Sequence, residues 1–394
     1  MTIKESKNEL GALILSSSHT SLGVIRGLGR HGIKIFVVYE KKTPPVFSRY
    51  VKGRFRFKGD NEEDRVAFLI DLANKNNLNR WAIFPDSDRW AIFLAKNQNI
   101  LDKYYTYTTP PWDILQWSID KRLTYQLAEE IGIGYPLTYY PKNRADVLKI
   151  NGSFPMVLKP AHREKQDLFS EVKVWQVNNK EELLARYDMA CESTDNSNIL
   201  IQEMIPGGAD SEFSYAALCR NGKVLADVFA ARKRMRPIDF GVSVYAETIL
   251  KPEIEIPARL WLEKNCYTGL VEIDFKYDAR DDQYKLLDVN SRAWGWIVLC
   301  SSAGVNFPLL LWRLLTGENV DFVRARPGVR WFRAIFDLIS AMKLIRKGEL
   351  SFRGYVSSLK GAKHQTLAFG DPLPVLIECL TLLGHVLKKR FHLI

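Results

Sequence analysis

Gly269-Leu270-Val271-Glu272-Ile273-Asp274-Phe275-Lys276-Tyr277-Asp278-Ala279-Arg280-Asp281-Asp282-Gln283-Tyr284-Lys285-Leu286-Leu287-Asp288-Val289-Asn290-Ser291-Arg292 is the stretch on which the fold turns. Leu270, Ile273 and Phe275 alternate imperfectly with Val271, Asp274 and Lys276. The polar run Arg280-Asp281-Asp282 marks a turn, and 284–289 returns as a second strand, so the segment reads as a β-hairpin. Residues two apart on a strand share a face, so Asp288 and Asn290 point together, and hairpin register brings Asp274 beside them. Three oxygen donors on one face suit a hard cation such as magnesium, which ordinarily takes one or two carboxylates plus substrate phosphates. Arg292, two residues further, adds a fork suited to phosphate. The competing reading is a solvated polar face, against which the flanking apolar residues argue.

The segments before the hairpin supply cations and a hinge. Asp120, Lys121 and Arg122 lie in a helix that Ser118 can cap and that ends at Gly132 and Gly134. An apolar strand at 155–158 delivers Lys159 and Pro160. A lysine closing a buried strand calls for an anionic partner, because its ammonium is expensive to bury alone. Asn179, with Glu182 three residues on, caps a further helix. The strand at 198–202 then runs into Glu203-Met204-Ile205-Pro206-Gly207-Gly208.

The chain opens as strand, helix, strand over 12–15, 22–30 and 33–38, which implies a parallel sheet. Gly27, Gly29 and Gly32 match G-x-G-x-x-G literally, yet a dinucleotide fingerprint opens a helix, whereas these glycines close one. The loop Ser16-Ser17-Ser18-His19-Thr20 could meet an anion at a helix N-terminus, with helix capping as the simpler reading. Asp60 and Glu63 resemble a capping box ahead of a helix to residue 74. The strand at 81–84 ends in Pro85-Asp86-Ser87-Asp88-Arg89, where open α/β sheets gather ligands, although the same residues favour a turn. Pro110 and Pro111 close this unit.

Composition bounds the rest. With 394 residues, 46% hydrophobic and 26% charged, the chain is a folded protein of two or three domains. Its five cysteines lack any C-x-x-C spacing and read as reduced thiols of a cytoplasmic protein. The first ten residues are polar with both charge signs, unlike a signal or transit peptide. Lys and Arg outnumber Asp and Glu by 56 to 45, and the +11 surplus attracts anions without choosing among nucleotides, acidic metabolites, lipid headgroups and nucleic acid. No nucleic-acid motif accompanies that charge. Residues 293–312 carry no charge, but Ser301, Ser302, Gly304, Asn306 and Pro308 interrupt them, so a buried segment is expected rather than a membrane span.

Four motifs stand in order: Asp120-Lys121 opening a helix that ends in Gly132-Ile133-Gly134-Tyr135-Pro136; Met156-Val157-Leu158-Lys159-Pro160; Leu200-Ile201-Gln202-Glu203-Met204-Ile205-Pro206-Gly207-Gly208; and Leu287-Asp288-Val289-Asn290-Ser291-Arg292. Together they resemble the ATP-grasp superfamily across roughly residues 118–317. The resemblance implies an α/β chain with an N-terminal Rossmann-like pre-ATP-grasp domain over 1–112 and a two-lobed α+β ATP-grasp domain over 113–320, hinged near 202–205. A C-terminal helical extension over 321–394 follows. By position, Lys121 and Lys159 are implied to hold the ATP phosphates. Gln202, Glu203, Met204 and Ile205 form the implied hinge, with Glu203 accepting from the adenine amino group and the Met204 and Ile205 backbone meeting the ring. Glu212 is the implied ribose ligand, with Asp210 a near alternative. Asp274, Asp288 and Asn290 match the magnesium ligands, with manganese as a substitute. Many members carry a glycine-rich phosphate loop where this chain has Ala161-His162-Arg163-Glu164-Lys165-Gln166, so phosphate contact would fall to the side chains of His162, Arg163 and Lys165.

Arg232-Lys233-Arg234-Met235-Arg236-Pro237-Ile238-Asp239-Phe240-Gly241, Trp294-Gly295, Ala303-Gly304-Val305-Asn306-Phe307-Pro308 and Gly370-Asp371-Pro372-Leu373-Pro374 resemble the carboxylate-amine ligase branch that includes D-aspartate ligase. That branch implies activation of a carboxylate by ATP to an acylphosphate, with ADP released, and then attack by an amine to form a C–N bond. Positioning and charge neutralisation dominate such chemistry. Arg292, Lys233 and Arg234 are the expected cationic clamp, a basic surface strand being the alternative. The expected partners are ATP and small carboxylate and amine substrates, with no specific nucleic acid. The rival reading is a scaffold that no longer catalyses and binds an anionic surface or nucleic acid; retention of Asp274, Asp288, Asn290 and Lys159 together weighs against it. Finally, Leu376, Leu380, Leu383 and Leu387 fall at helical spacing ahead of Lys388-Lys389-Arg390. This helix, at 375–387, is too short to span a bilayer and reads either as core-packed or as a peripheral contact with the inner face of a membrane.

Overall fold

A computed structural model describes residues 10–16, 18–162 and 174–391, with side chains described as far as residue 384. The chain begins with β1 (Ala12–Ser16), α1 (Ser21–Gly29), β2 (Ile35–Tyr39), β3 (Val51–Arg56), α2 (Glu62–Asn76), β4 (Trp81–Pro85), α3 (Asp88–Lys96), α4 (Gln98–Leu101) and β5 (Tyr105–Tyr107). These strands form a parallel sheet in the order β3-β2-β1-β4-β5. The central β1 is apolar at four of its five positions and buried throughout, as a parallel strand covered on both faces must be. Asn61, not Asp60, caps α2, accepting from Asp64 N at 2.7 Å.

The glycine-rich run closes α1, and its glycines serve packing. A Cβ on Gly29 would lie 2.5 Å from the Cβ of Tyr50, and Gly32 holds φ at +78°, a region that L side chains avoid. The same helix presses onto the segment from residue 293, which folds into two short buried helices, Ile297–Ser302 and Phe307–Leu315. Among the described residues no helix is long and apolar enough to cross a membrane.

Next come α5 (Trp112–Ile119), α6 (Lys121–Glu130), β6 (Thr138–Tyr139), α7 (Arg144–Lys149), β7 (Met156–Pro160), β8 (Trp175–Val177), α8 (Lys180–Cys191) and β9 (Ile199–Glu203). Asp120 rather than Ser118 caps α6, its carboxylate accepting from Arg122 N at 2.9 Å. The four strands form a small antiparallel sheet, β6-β9-β7-β8, over a core of Met156, Leu158, Leu183, Tyr187 and Ile201.

The third part holds β10 (Glu212–Arg220), β11 (Lys223–Arg236), β12 (Val242–Ile249), α9 (Pro252–Lys264), β13 (Gly269–Asp278), β14 (Gln283–Asn290), α10 (Ile297–Ser302) and α11 (Phe307–Leu315). It continues with β15 (Val323–Arg324), β16 (Arg330–Phe332), α12 (Ala334–Arg346), α13 (Phe352–Leu359), β17 (Lys363–His364) and α14 (Leu373–Phe391). Its sheet runs β14-β13-β10-β11-β12-β16-β17, with β15 beside β11. One face packs Tyr215, Phe229, Val271 and Phe275 against α6 and α9. The other puts Ala216, Ala230, Ala246 and Trp331 into a core shared with β1, α1, α10 and α11. That shared core fixes the N-terminal sheet over the face bearing the charged cluster described next.

The C-terminal residues also return to the start of the chain. Arg26 is 4% exposed and donates Nε to Asp371 at 2.9 Å, while Ser48 Oγ donates to the same carboxylate at 2.8 Å. Burial of both partners makes this a tie that breaks expensively if one side is removed.

Candidate functional site

The hairpin assembles the acidic half of the site. Asp274 lies directly opposite Asp288 in the antiparallel ladder, and Glu272 lies opposite Asn290. A bulge after Asp274 places both pairs on the inner face despite the extra residue on the returning strand. Asn290 Nδ2 donates to Asp274 Oδ2 at 3.4 Å and to Glu272 Oε2 at 3.3 Å. Ser214 Oγ, on the neighbouring β10, donates to Asp274 Oδ1 at 2.7 Å.

Two members of this cluster are not evident from motif spacing. Glu272, 5% exposed, accepts from Trp296 Nε1 at 2.7 Å; burial, then the adjacent Asp274, pushes its carboxyl above the usual range. Arg232 pairs with Asp274 and lies 3.4 Å from Glu212 and 3.8 Å from Glu272. The signal for Glu272 was its position two residues before Asp274, hence on the same face.

The basic half comes from the small lobe and the helix before it. Lys121 N donates to Ala161 O at 3.0 Å, tying the start of α6 to the exit of β7, where Lys159 sits. Lys121 Nζ donates to Asp288 Oδ1 at 2.8 Å. Lys159 Nζ donates to the Tyr125 hydroxyl at 3.1 Å. Burial, then Lys121 nearby, lowers the Lys159 ammonium to about 7, while Asp288 acts in the opposite sense. Two cations and a carboxylate thus converge where the lobes meet, an arrangement that an added polyanion relieves.

At the hinge, Gln202 is buried and donates to Thr138 Oγ1 at 2.7 Å, so its side chain holds the small sheet. Glu203 accepts from Leu137 N at 2.9 Å and from Arg280 Nη2 at 2.7 Å, with Lys285 at 3.4 Å. Met204 N donates to Pro155 O at 3.3 Å, and Ile205 is buried. Glu212 opens β10 beside Arg232, its carboxyl raised above the usual range by burial.

Arg292 reaches across the domain junction, donating Nε to Asp88 Oδ1 at 2.7 Å and Nη2 to Asn290 Oδ1 at 3.4 Å. Ser18 N and Oγ donate to Asp86 Oδ2 at 2.7 and 3.2 Å on the same rim. Lys233 is exposed. Arg234 is buried and forks onto Asp337 of α12 at 2.6 and 2.9 Å, outside the cluster. The ladder shifts register on either side of Arg234, so the simple alternation 232, 234, 236 does not hold. His162 N donates to Asn198 Oδ1 at 3.0 Å, whereas Ser17, Arg163, Glu164, Lys165 and Gln166 lie outside the described residues.

Among the described residues no three His, Cys, Asp or Glu side chains form a closed metal cage. Asp274, Asp288 and Asn290 instead supply an open set of two carboxylates and an amide, which fits a magnesium ion completed by phosphate oxygens and water.

The family model described as "ATP-grasp in the biosynthetic pathway with Ter operon" matches residues 195–333. D-aspartate ligase of Enterococcus faecium (strain Aus0004) is 22% identical over 306 residues, spanning 71% of this chain and 70% of the relative. Among solved structures, the biotin carboxylase domain of Hydrogenobacter thermophilus 2-oxoglutarate carboxylase, crystallised with MgADP, ADP and bicarbonate, superposes with a TM-score of 0.65 at 16% identity. That match covers 82% of this chain and 73% of the other. L-amino acid ligase from Bacillus licheniformis gives a TM-score of 0.61 at 16% identity, covering 79% and 75%. The ADP complex of N5-carboxyaminoimidazole ribonucleotide synthetase gives 0.65 at 11% identity, covering 86% and 85%. The order of the motifs, the two-lobed architecture and these likenesses agree: the chain has the ATP-grasp fold, its residues 195–333 match an ATP-grasp family model, and its sequence resembles D-aspartate ligase.

Proposed function

We propose that the chain is an ATP-dependent ligase that activates a carboxylate as an acylphosphate, releases ADP, and joins the acyl group to an amine. The observation that carries this reading is the convergence of Lys121, Lys159 and Asp288 at the seam of the lobes, with Asp274 paired to Asp288. Lys121 and Lys159 neutralise the transferring phosphates, and Arg292 orients the carboxylate, held by Asp88 from the N-terminal domain. Asp274, Asp288 and Asn290 hold magnesium, which when bound supplies charge to the phosphate oxygens. Glu203 to Ile205 flank the adenine and Glu212 the ribose. The names of the relatives, D-aspartate ligase and L-amino acid ligase, support an amino-acid-like substrate pair. Product analysis tests the reaction type: ADP and phosphate, formed only when carboxylate and amine are both present, are expected. Stoichiometric AMP and pyrophosphate would overturn it.

We place the protein in the cytoplasm with α14 in peripheral contact with an anionic membrane, supported by Leu376, Leu380 and Leu383 being 54%, 64% and 59% exposed. A leucine stripe committed to the core would be covered.

A further inference from the structure

Arg236, at the end of β11, and Arg333, across β12 from it, lie where no catalytic role has been assigned. Arg333 N donates to Val244 O at 2.8 Å, continuing the line of β16. Two residues before it, Trp331 belongs to the core shared with the N-terminal sheet, and residues two apart on a strand share a face. The neighbouring Gln365 accepts from Trp331 Nε1 at 2.7 Å and donates to His19 O at 3.5 Å. His19 Nε2 stands 3.6 Å from where a side chain on Gly295 would begin, three residues after Arg292. His19 thus lies between the segment that follows Arg292 and the strand that leads to Arg333. Arg333 and Arg292 both act on His19, whose imidazole is pushed down to about 3, burial being the largest cause.

The guanidinium groups at the far end of this path lack adequate partners. Arg333 and Arg236 both stand over the Phe336 ring, at 4.3 and 4.9 Å from its centroid. Arg333 Nε and Arg236 Nη1 are buried with no hydrogen-bond partner among the described residues. The nearest acid to Arg333 is Glu378 at 3.8 Å, itself an acceptor from Thr366 Oγ1. By contrast Arg232, Arg234 and Arg292 each have a carboxylate within hydrogen-bond distance. Guanidinium remains charged at any physiological pH, and burying an unmatched N–H is costly, so one orphaned nitrogen on each of two neighbouring guanidinium groups, with one carboxylate at 3.8 Å from Arg333, points to a further anion.

We propose that Arg333 and Arg236 form a subsite for a second anionic group on the carboxylate substrate, so that the acid this protein activates is at least dianionic. The inference rests on the ligase reading and deepens it. A planar carboxylate and a tetrahedral phosphate each offer the fork a pair of anionic oxygens, so the class is defined by the second charge.

Melting temperature of the full chain with magnesium and ADP tests it, using butanoate, succinate and 3-phosphonopropanoate as probes at equal ionic strength. The three differ in the second anion alone. Succinate, the phosphonate or both should raise the melting temperature where butanoate does not, and the larger shift identifies a carboxylate or a phosphate source. Arg333→Met and Arg236→Met should each weaken dianion affinity by about tenfold or more, with Arg333→Lys intermediate because it keeps charge without the fork. Should Arg333→Met fail to fold, Arg236→Met and Arg333→Lys decide the matter. The proposal is overturned if neither dianion shifts the wild-type protein, if butanoate matches the dianions, or if the dianion shift survives in the methionine variants. The shift produced by magnesium and ADP alone is read separately, and its absence counts against the ligase reading.

Discussion

Lys121 Nζ donates to Asp288 Oδ1 across 2.8 Å, joining the first turn of α6 to the returning strand of the hairpin. A lysine from one lobe and a carboxylate from the other therefore occupy one electrostatic locus, and its net charge decides whether phosphates and a divalent cation can share it. Asp288→Asn keeps the volume and an acceptor for Lys121 while removing one negative charge. ADP release in excess magnesium should fall by about a hundredfold or more, since even outer-shell partners of a metal are worth ten- to hundredfold. The melting temperature should change little, because Lys121 and Asp288 are 18% and 37% exposed and such pairs contribute about 1 kcal/mol or less. Undiminished ADP release would remove Asp288 from the site.

Lys159 gives a pH signature. Its ammonium titrates at about 7 in the folded chain against 10.5 when unperturbed, burial being the largest cause. The unfolded chain binds more protons between those values, so this group opposes folding below about pH 7 and the penalty fades toward 10.5. Phosphates beside Lys159 favour its charged form, so nucleotide binding at about pH 8 should draw in a proton, and affinity should decline as pH rises past 7. Calorimetric titration of magnesium and ADP in phosphate and in Tris buffer reads the proton directly. Equal enthalpies in the two buffers would show that Lys159 is not coupled to the nucleotide.

Arg232 and Arg234 are separated by one residue and should behave oppositely. Arg234 is bound bidentately to Asp337, with both side chains buried, and breaking such a pair from one side costs about 3–5 kcal/mol. Arg234→Met should therefore lower the denaturant midpoint, and adding Asp337→Leu should restore much of it, with turnover per folded molecule unchanged throughout. Arg232→Met should abolish turnover, because Asp274, Glu272 and Glu212 lose the cation between them. Equal loss of turnover in both single variants, measured on folded protein, would refute the division.

The contrast between these arginines also marks what a sequence can carry. The Asp274–Asp288 pairing was legible because an antiparallel hairpin of apolar alternation and polar turn fixes cross-strand partners locally. Arg232 and Arg234 were not distinguishable, because a register shift between them changes which face each serves, and no turn residue announces it. Glu272 was legible in principle by its spacing from Asp274. Asp88 as the partner of Arg292 was not, since 204 residues separate them and their meeting depends on how the two domains pack. Likewise the run Gly27, Gly29 and Gly32 mimics a nucleotide motif, while its residues answer to Tyr50 and to a left-handed turn.

Helix α14 turns a stripe of leucines to solvent. Leu373, Leu376, Leu380 and Leu383 are 50–64% exposed, whereas Glu378 is held inward near Arg333 and Thr366, the reverse of a helix that buries its apolar stripe. On α12, Ile335, Leu338, Ile339 and Met342 are also exposed at helical spacing, with Lys343, Arg346 and Lys347 at its exposed end. Lys388, Lys389 and Arg390 follow in the sequence of α14. Each basic residue near an anionic surface contributes about 1 kcal/mol, and that attraction falls away within a Debye length, so binding should be reversible and sensitive to salt. The full chain should sediment with phosphatidylglycerol vesicles at low salt, remain in solution with phosphatidylcholine alone, and be released at high salt. Replacing Leu380 and Leu383 with Glu should reduce sedimentation without lowering the melting temperature, since both side chains already face water. If the wild-type chain does not sediment with anionic vesicles at low salt, or if the double variant forms a smaller oligomer than the wild type, the exposed leucines serve a second copy of this chain instead.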